Sequence, residues 1–348
     1  MKNRKFTAID LFSGAGGLTL GLKDAGFKVL AGVENNPIAS QTYKKNHPKI
    51  KLYETDIRLL TEDQVLLDLS LKPGELDLLA GCPPCQGFSS HRTRNKKTSI
   101  GDPRNSLVFE FLRFVKFLLP KTIMLENVPA LAKDWRIKKL RTELAKLGYK
   151  IGDDFIQVKD AADYGVPQRR RRLLVKASRL GLIGNPDIAH TRVSVREAIS
   201  HLPIAGKSGD ALHDIKENRS EKVKKIIAHV PKNGGSRSEI PRALWLECHK
   251  RNENSYKDVY GRMSWDNVAP TITGGCHNPS KGRYLHPTED RAITLREAAL
   301  LQTFPQSYKF SLENGKDAVA LMIGNALPPL FITQHAKTYL AHLKRHPQ

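Results

Sequence analysis

The chain has 348 residues, with 57 Lys and Arg against 35 Asp and Glu, a net charge of +22 that points to a polyanion, nucleic acid foremost. That length holds one large domain or two smaller ones with a sizeable core, and four cysteines make no disulfide framework, so reduced intracellular thiols are expected. No apolar run of about 18 residues occurs and the basic N-terminal stretch lacks a signal peptide's apolar core, so a cytoplasmic protein with no membrane span is expected.

Residues 6–12, FTAIDLF, read as a short apolar strand, and residues 16–26 as a helix closed by Gly26. Between them, DLFSGAGG sets glycines where a backbone can approach a ligand at a helix N-terminus. The dinucleotide spacing G-x-G-x-x-G fails: counted from Gly14 and Gly16, its third glycine falls at Thr19, so NAD is disfavoured. A second strand, FKVLAGVE, ends on Glu34; a helix starting at Pro37 follows; a third strand, IKLYETD, ends on Asp56. A carboxylate at the end of the second strand commonly accepts ribose hydroxyls, so the turn and both acids together favour a nucleoside-bearing cofactor over a plain turn with two solvated acids.

A fourth strand, ELDLLAG, runs into GCPPCQGFSS, with Cys82 and Cys85. Two prolines pre-set this loop and Gly87 permits a sharp turn, so Cys85 is an accessible nucleophile. A redox pair would need a thioredoxin-like setting. Zinc would need two more ligands, and Cys248–His249 and Cys276–His277 lie far off without C-x-x-C spacing. Charge concentrates next: residues 91–180 carry 22 basic and 9 acidic side chains, after an N-terminal quarter close to neutral. Residues 105–118 form a strongly apolar helix, TIMLENV a buried strand bearing Glu126, and residues 136–148 an amphipathic helix. Glu126 suits a proton donor or hydrogen-bond clamp, although a merely satisfied strand-end acid has the same signature. DDFIQVKDA and RRLLVKAS complete the strands; alternation sends Arg170 and Arg172 to one face and Arg169 and Arg171 to the other. Strands alternating with helices predict an α/β fold with a mostly parallel sheet, and ligands beyond the carboxyl ends of its strands. Near residue 203 the periodicity dissolves into a Gly-, Asn-, Ser- and His-rich stretch. Order returns with residues 293–304 and 316–343, both helical.

Together DLFSGAGG, PPCQGFS, ENV, QRRRR, LREAALLQTFP and IGNALPP resemble, in their order, the motifs of the cytosine-5 DNA methyltransferases of the compact bacterial type. The resemblance spans nearly the whole chain. It implies a Rossmann-like S-adenosylmethionine-dependent fold, with a catalytic and cofactor domain over 1–203, a target recognition domain over 204–290, and C-terminal helices over 291–348 returning to the catalytic domain. It implies that Cys85 is the nucleophile and that Glu126 holds ring nitrogen 3 and the exocyclic amine of a flipped cytosine in duplex DNA. Arg170 and Arg172 would position base and catalytic groups. Phe12, Gly14, Gly16, Glu34, Asn35, Asp56, Ile57, Pro84, Leu107 and Asn325 would contact S-adenosylmethionine. Gln86, Ser89, Asn127 and Thr271 would face the substrate, and no metal is needed. Two departures stand out: Arg171 replaces a frequent acid, and Cys82 replaces a small or apolar residue. Cys82 reads as a buried neighbour whose removal leaves most methyl transfer intact. A tRNA methyltransferase on the same scaffold and a non-catalytic DNA-binding protein are the alternatives. A cognate restriction endonuclease is an expected partner, and a monomer the expected state.

Overall fold

The computed structural model describes residues 5–84, 106–251 and 256–347. Among the described residues seven strands form one sheet: β1 (Thr7–Leu11), β2 (Lys28–Val33), β3 (Lys51–Tyr53), β4 (Leu78–Gly81), β5 (Thr122–Asn127), β6 (Ile156–Asp160) and β7 (Arg171–Ser178). Their order is β3-β2-β1-β4-β5-β7-β6. Pairing is parallel from β3 to β5, while β7 runs antiparallel to both β5 and β6. The alternating pattern thus builds the expected mostly parallel α/β sheet. All residues of β4 and β5 are buried, the mark of strands covered on both faces.

Local chemistry explains most helix starts. Helix α1 (Gly17–Asp24) begins at Gly16, which is left-handed at φ 94. Helix α2 (Pro37–Asn46) is capped by the Asn36 side chain, which accepts from the amides of Ile38 and Ala39. Helix α3 (Glu62–Leu69), capped by Thr61, is absent from the sequence reading. Val65 is buried and Leu66 and Leu69 pack partly buried on the core, but eight residues are too short a span for the helical period to stand out. Helix α4 (Leu107–Leu118) buries Val108, Phe111, Leu112, Phe114, Val115 and Leu118 in the main core, together with β1, β4 and β5.

The single helical run read over 316–343 is two helices, Gly315–Asn325 and Pro329–Arg345. Pro328 and Pro329 supply no amide for the first helix to continue through, and Pro329 sits where a helix start tolerates proline. No helix among the described residues is long and apolar enough to cross a membrane.

The chain divides into two compact units. One comprises residues 1–161, 171–188 and 327–348, the other 162–170 and 189–326. These limits cut the chain at other points than 203 and 290, because the segment before β7 is bonded to residues of the second unit. In that unit the stretch 204–290 has short helices, 3-10 turns and isolated bridges. Its irregular backbone is gathered around Arg262, which is fully buried. The guanidinium donates to the carbonyls of Ile227, Val230, His286 and Glu289 and to the Asp290 carboxylate. Arg262 thereby satisfies carbonyls that strand pairing would satisfy in a sheet.

Candidate active site

The chain leaves β1 toward β2 and β3 on one side, then returns to β4 on the other. The carboxyl ends of β1 and β4 are therefore the point where strand order reverses, the usual ligand crevice of such sheets. Residues 12–16 turn sharply there. Phe12, Gly14 and Gly16 all have positive φ, at 64, 54 and 94. Ser13 ties the turn to β2: its amide bonds the Val33 carbonyl, and its hydroxyl accepts from the Val33 amide and donates to the Asp10 carbonyl. Glu34, just past β2, accepts from the Gly14 amide at 2.8 Å and from the Asn36 amide at 2.7 Å. The carboxylate is thus aimed at the glycine turn by two backbone donors.

Beyond β3, Asp56 is held by Arg58, whose guanidinium grips both carboxylate oxygens. This pairing pulls its carboxyl down to about 2. Arg113 donates to the Ile57 and Leu60 carbonyls and steadies the same loop. Ile57 is buried, Leu107 half-buried, and Asn35 and Pro84 exposed. Phe12 and Leu107 both pack on the main core.

At the neighbouring strand ends, Glu126 is 2% exposed. Its Oε1 meets Arg172 Nε at 2.9 Å and its Oε2 accepts from Cys82 Sγ at 2.7 Å. Asn127 donates from Nδ2 to the Pro83 carbonyl and accepts the Val128 amide, joining the loop after β4 to the end of β5. Cys85, Gln86 and Ser89 lie outside the described residues. Cys82, expected to be a buried neighbour, is half-buried; its bond to Glu126 links residues 44 apart, and no local pattern announces it.

Arg170, Thr271 and Asn325 belong to the second unit. Arg170 is buried, and its guanidinium donates to the Ile272 and Gly324 carbonyls. Arg169 is exposed, and its carbonyl accepts from the Thr271 hydroxyl at 2.7 Å. The expected alternation holds in exposure: Arg169 and Arg171 face outward, while Arg170 is buried and Arg172 half-buried. Gln168 had no assigned role. It accepts the Ile272 amide and donates to the Leu301 carbonyl and the Gln302 side chain. Asn325 is the exposed last residue of its helix. Among the described residues no three His, Cys, Asp or Glu side chains converge as a metal site. Cys276 is buried, and burial pushes its thiol up to about 12.

The model of the C-5 cytosine-specific DNA methylase family matches residues 6–341. The Type II methylase M.HgiDII of Herpetosiphon aurantiacus is 38% identical over 333 residues, covering 92% of this chain and 91% of its own. The Type II methyltransferase M1.HphI of Haemophilus parahaemolyticus is 36% identical over 342 residues, covering 96% and 86%. Among solved structures, a prophage-encoded candidate DNA modification methyltransferase of Escherichia coli superposes with a TM-score of 0.71 at 25% identity. That match covers 98% of this chain and all of the other.

Proposed function

The chain belongs to the C-5 cytosine-specific DNA methylase family, and from that premise we propose that Cys85 adds to a cytosine held by Glu126 in duplex DNA. It is an enzyme, a DNA cytosine-5 methyltransferase whose methyl donor is S-adenosylmethionine. The residues present suit that donor. The left-handed Gly14 leaves open space where a Cβ would stand, so the turn can approach a ligand closely. Glu34 is held beside it with lone pairs left for ribose hydroxyls. Phe12, Gly14, Gly16, Glu34, Asn35, Asp56, Ile57, Pro84, Leu107 and Asn325 are the proposed contacts. When bound, S-adenosylmethionine supplies carbon 5 with a methyl carried on a sulfonium.

Carbon 5 of cytosine is a poor nucleophile. The Cys85 thiolate adds to carbon 6, its sulfur forming the new bond, and the ring's double bond shifts electron density to carbon 5. Glu126 donates to ring nitrogen 3 as charge gathers there, while Arg172 holds the carboxyl in place. Loss of the carbon 5 proton to solvent then lets its electron pair re-form the ring double bond as the carbon–sulfur bond breaks, and Cys85 leaves as thiolate. Neither carbon is reachable within a stacked duplex, so the base is flipped out. Asn127 keeps the loop after β4 at the end of β5. Arg170 fixes the backbone at Ile272 and Gly324, supporting Thr271 beside it. Gln86 and Ser89 complete the substrate contacts, residues 204–290 read base edges, and basic residues of 91–180 hold phosphates.

The observation carrying this reading is the buried Glu126 carboxylate gripped by Arg172 beside the loop that leads to Cys85. The named relatives are Type II methylases, which supports a cognate restriction endonuclease, a cytoplasmic location with nucleoid association through DNA, and DNA rather than tRNA as substrate. A duplex with 5-fluorocytosine at the target tests the mechanism, because fluorine cannot leave as a proton does. Wild type is expected to form a denaturant-stable adduct and Cys85→Ala none. An adduct on Cys85→Ala, or a wild type that prefers tRNA, would overturn the proposal.

A further inference from the structure

We propose that Cys82 is a positioning residue for Glu126, holding one carboxylate oxygen until the target base supplies its own donor. This rests on Glu126 acting on the base. The backbone brings the two residues abreast. Gly81 pairs with Leu125 in the β4–β5 ladder, so Cys82 and Glu126 are the next residues on each strand. The Cys82 amide bonds the Leu11 carbonyl, and the Pro83 carbonyl accepts from Asn127. Cys82 is therefore fixed from β1 on one side and from β5 on the other. Its Sγ meets Oε2 of Glu126 at 2.7 Å while Arg172 Nε meets Oε1 at 2.9 Å. The carboxylate is held from two sides, by an ion pair at one oxygen and a weak hydrogen bond at the other.

That inequality suits the task. A carboxylate with 2% exposure is costly to leave unsatisfied. The Arg172 guanidinium is a permanent charge paired with the carboxylate, whereas a thiol is a neutral and weak donor. The oxygen held by sulfur is thus the one that the incoming exocyclic amine can take over at small cost. Two effects follow from one contact. The carboxylate stays in a single orientation before the base arrives, and a donor on it favours its charged form. Glycine or alanine at position 82 would leave this oxygen without that donor.

The test uses the full chain, labelled S-adenosylmethionine and unmethylated duplex DNA, with single-turnover rates measured across pH. In Cys82→Ala and Cys82→Val the rate is expected to fall about tenfold, the worth of one hydrogen bond to a charged group. The limb of the pH profile that depends on Glu126 should move to higher pH, while the KM for S-adenosylmethionine stays unchanged. Cys82→Ser, whose hydroxyl donates at the same place, is expected to restore both rate and profile. Thermal unfolding identifies the better-folded of the two donor-free variants, and that one is read. A donor-free variant with wild-type rate and profile overturns the inference. So does a Cys82→Ser enzyme as impaired as Cys82→Ala, since packing alone would then explain the loss. Glu126→Gln in the same assay separates the two levels: wild-type activity there would sink the role of Glu126 itself, not merely that of Cys82.

Discussion

Asp10 lies wholly buried in β1, beneath the glycine turn. Its Oδ2 accepts from the Thr19 hydroxyl at 2.6 Å, and Thr19 in turn meets the Tyr43 hydroxyl at 3.0 Å. Burial pushes the Asp10 carboxyl up to about 7, against a partial opposing effect from Thr19. The folded protein therefore holds this proton more tightly than the unfolded chain does. Its stabilising contribution is complete below the unfolded value of 3.8 and is lost as pH rises through about 7. Asp10→Asn should flatten that dependence: between about pH 4 and 7, melting temperature is expected to fall less in the variant than in wild type. An equal fall in both would assign the window to other groups. His47 stacks edgewise on Tyr43 nearby, and burial drives its imidazole down to about 4, so it is neutral over the upper part of the same range. One polar chain thus underlies the glycine turn without adding a charge to the core in weakly acid solution.

Among elements, the helix Gly315–Asn325 shows how closely backbone can approach backbone. A Cβ on Gly324 would lie 2.1 Å from the Gly274 nitrogen and 2.1 Å from the Thr273 carbonyl carbon. Both are main-chain atoms, so no side chain can swing aside. The Gly324 carbonyl also accepts from Arg170. Gly324→Ala is expected to cost at least about 2 kcal/mol, as overpacking of a rigid contact does. Differential scanning calorimetry should show melting lowered by several degrees; an unchanged melting point would mean the 273–274 loop is free to yield. The IGNALPP segment was legible as a motif, but its reason was not. Glycine serves a close approach there, and the two prolines end one helix and start the next.

For the whole molecule, charge is the dominant fact. Of the net +22, residues 91–180 carry +13, from 22 basic and 9 acidic side chains, which leaves many cations for phosphate. Were about six phosphates neutralised, duplex affinity would fall on the order of a thousandfold from about 50 to 200 mM salt. Fluorescence anisotropy with a labelled non-cognate duplex measures that slope. Affinity indifferent to salt would return the charge to a merely solubilising role. Within the second unit, cations also serve structure. Arg262 and Arg170 are buried and spend their donors on carbonyls, so net charge overstates the surface offered to DNA.

Sequence alone determined the alternation of strands and helices, the glycine turn after β1, and the acids Glu34 and Glu126 at strand ends. Each is a local property: apolar runs, periodicity and the residues that close them are readable within a dozen positions. Helix α3 escaped because its eight residues are too short a span for the helical period to stand out. The partners of Glu126 escaped for another reason. Cys82 and Arg172 lie 44 and 46 residues away, on strands that neighbour β5 on opposite sides. Which side chains meet there depends on sheet order, on the antiparallel insertion of β7, and on register to the single residue. None of these is encoded in any one segment, so only the assembled sheet decided that the carboxylate is held between a guanidinium and a thiol.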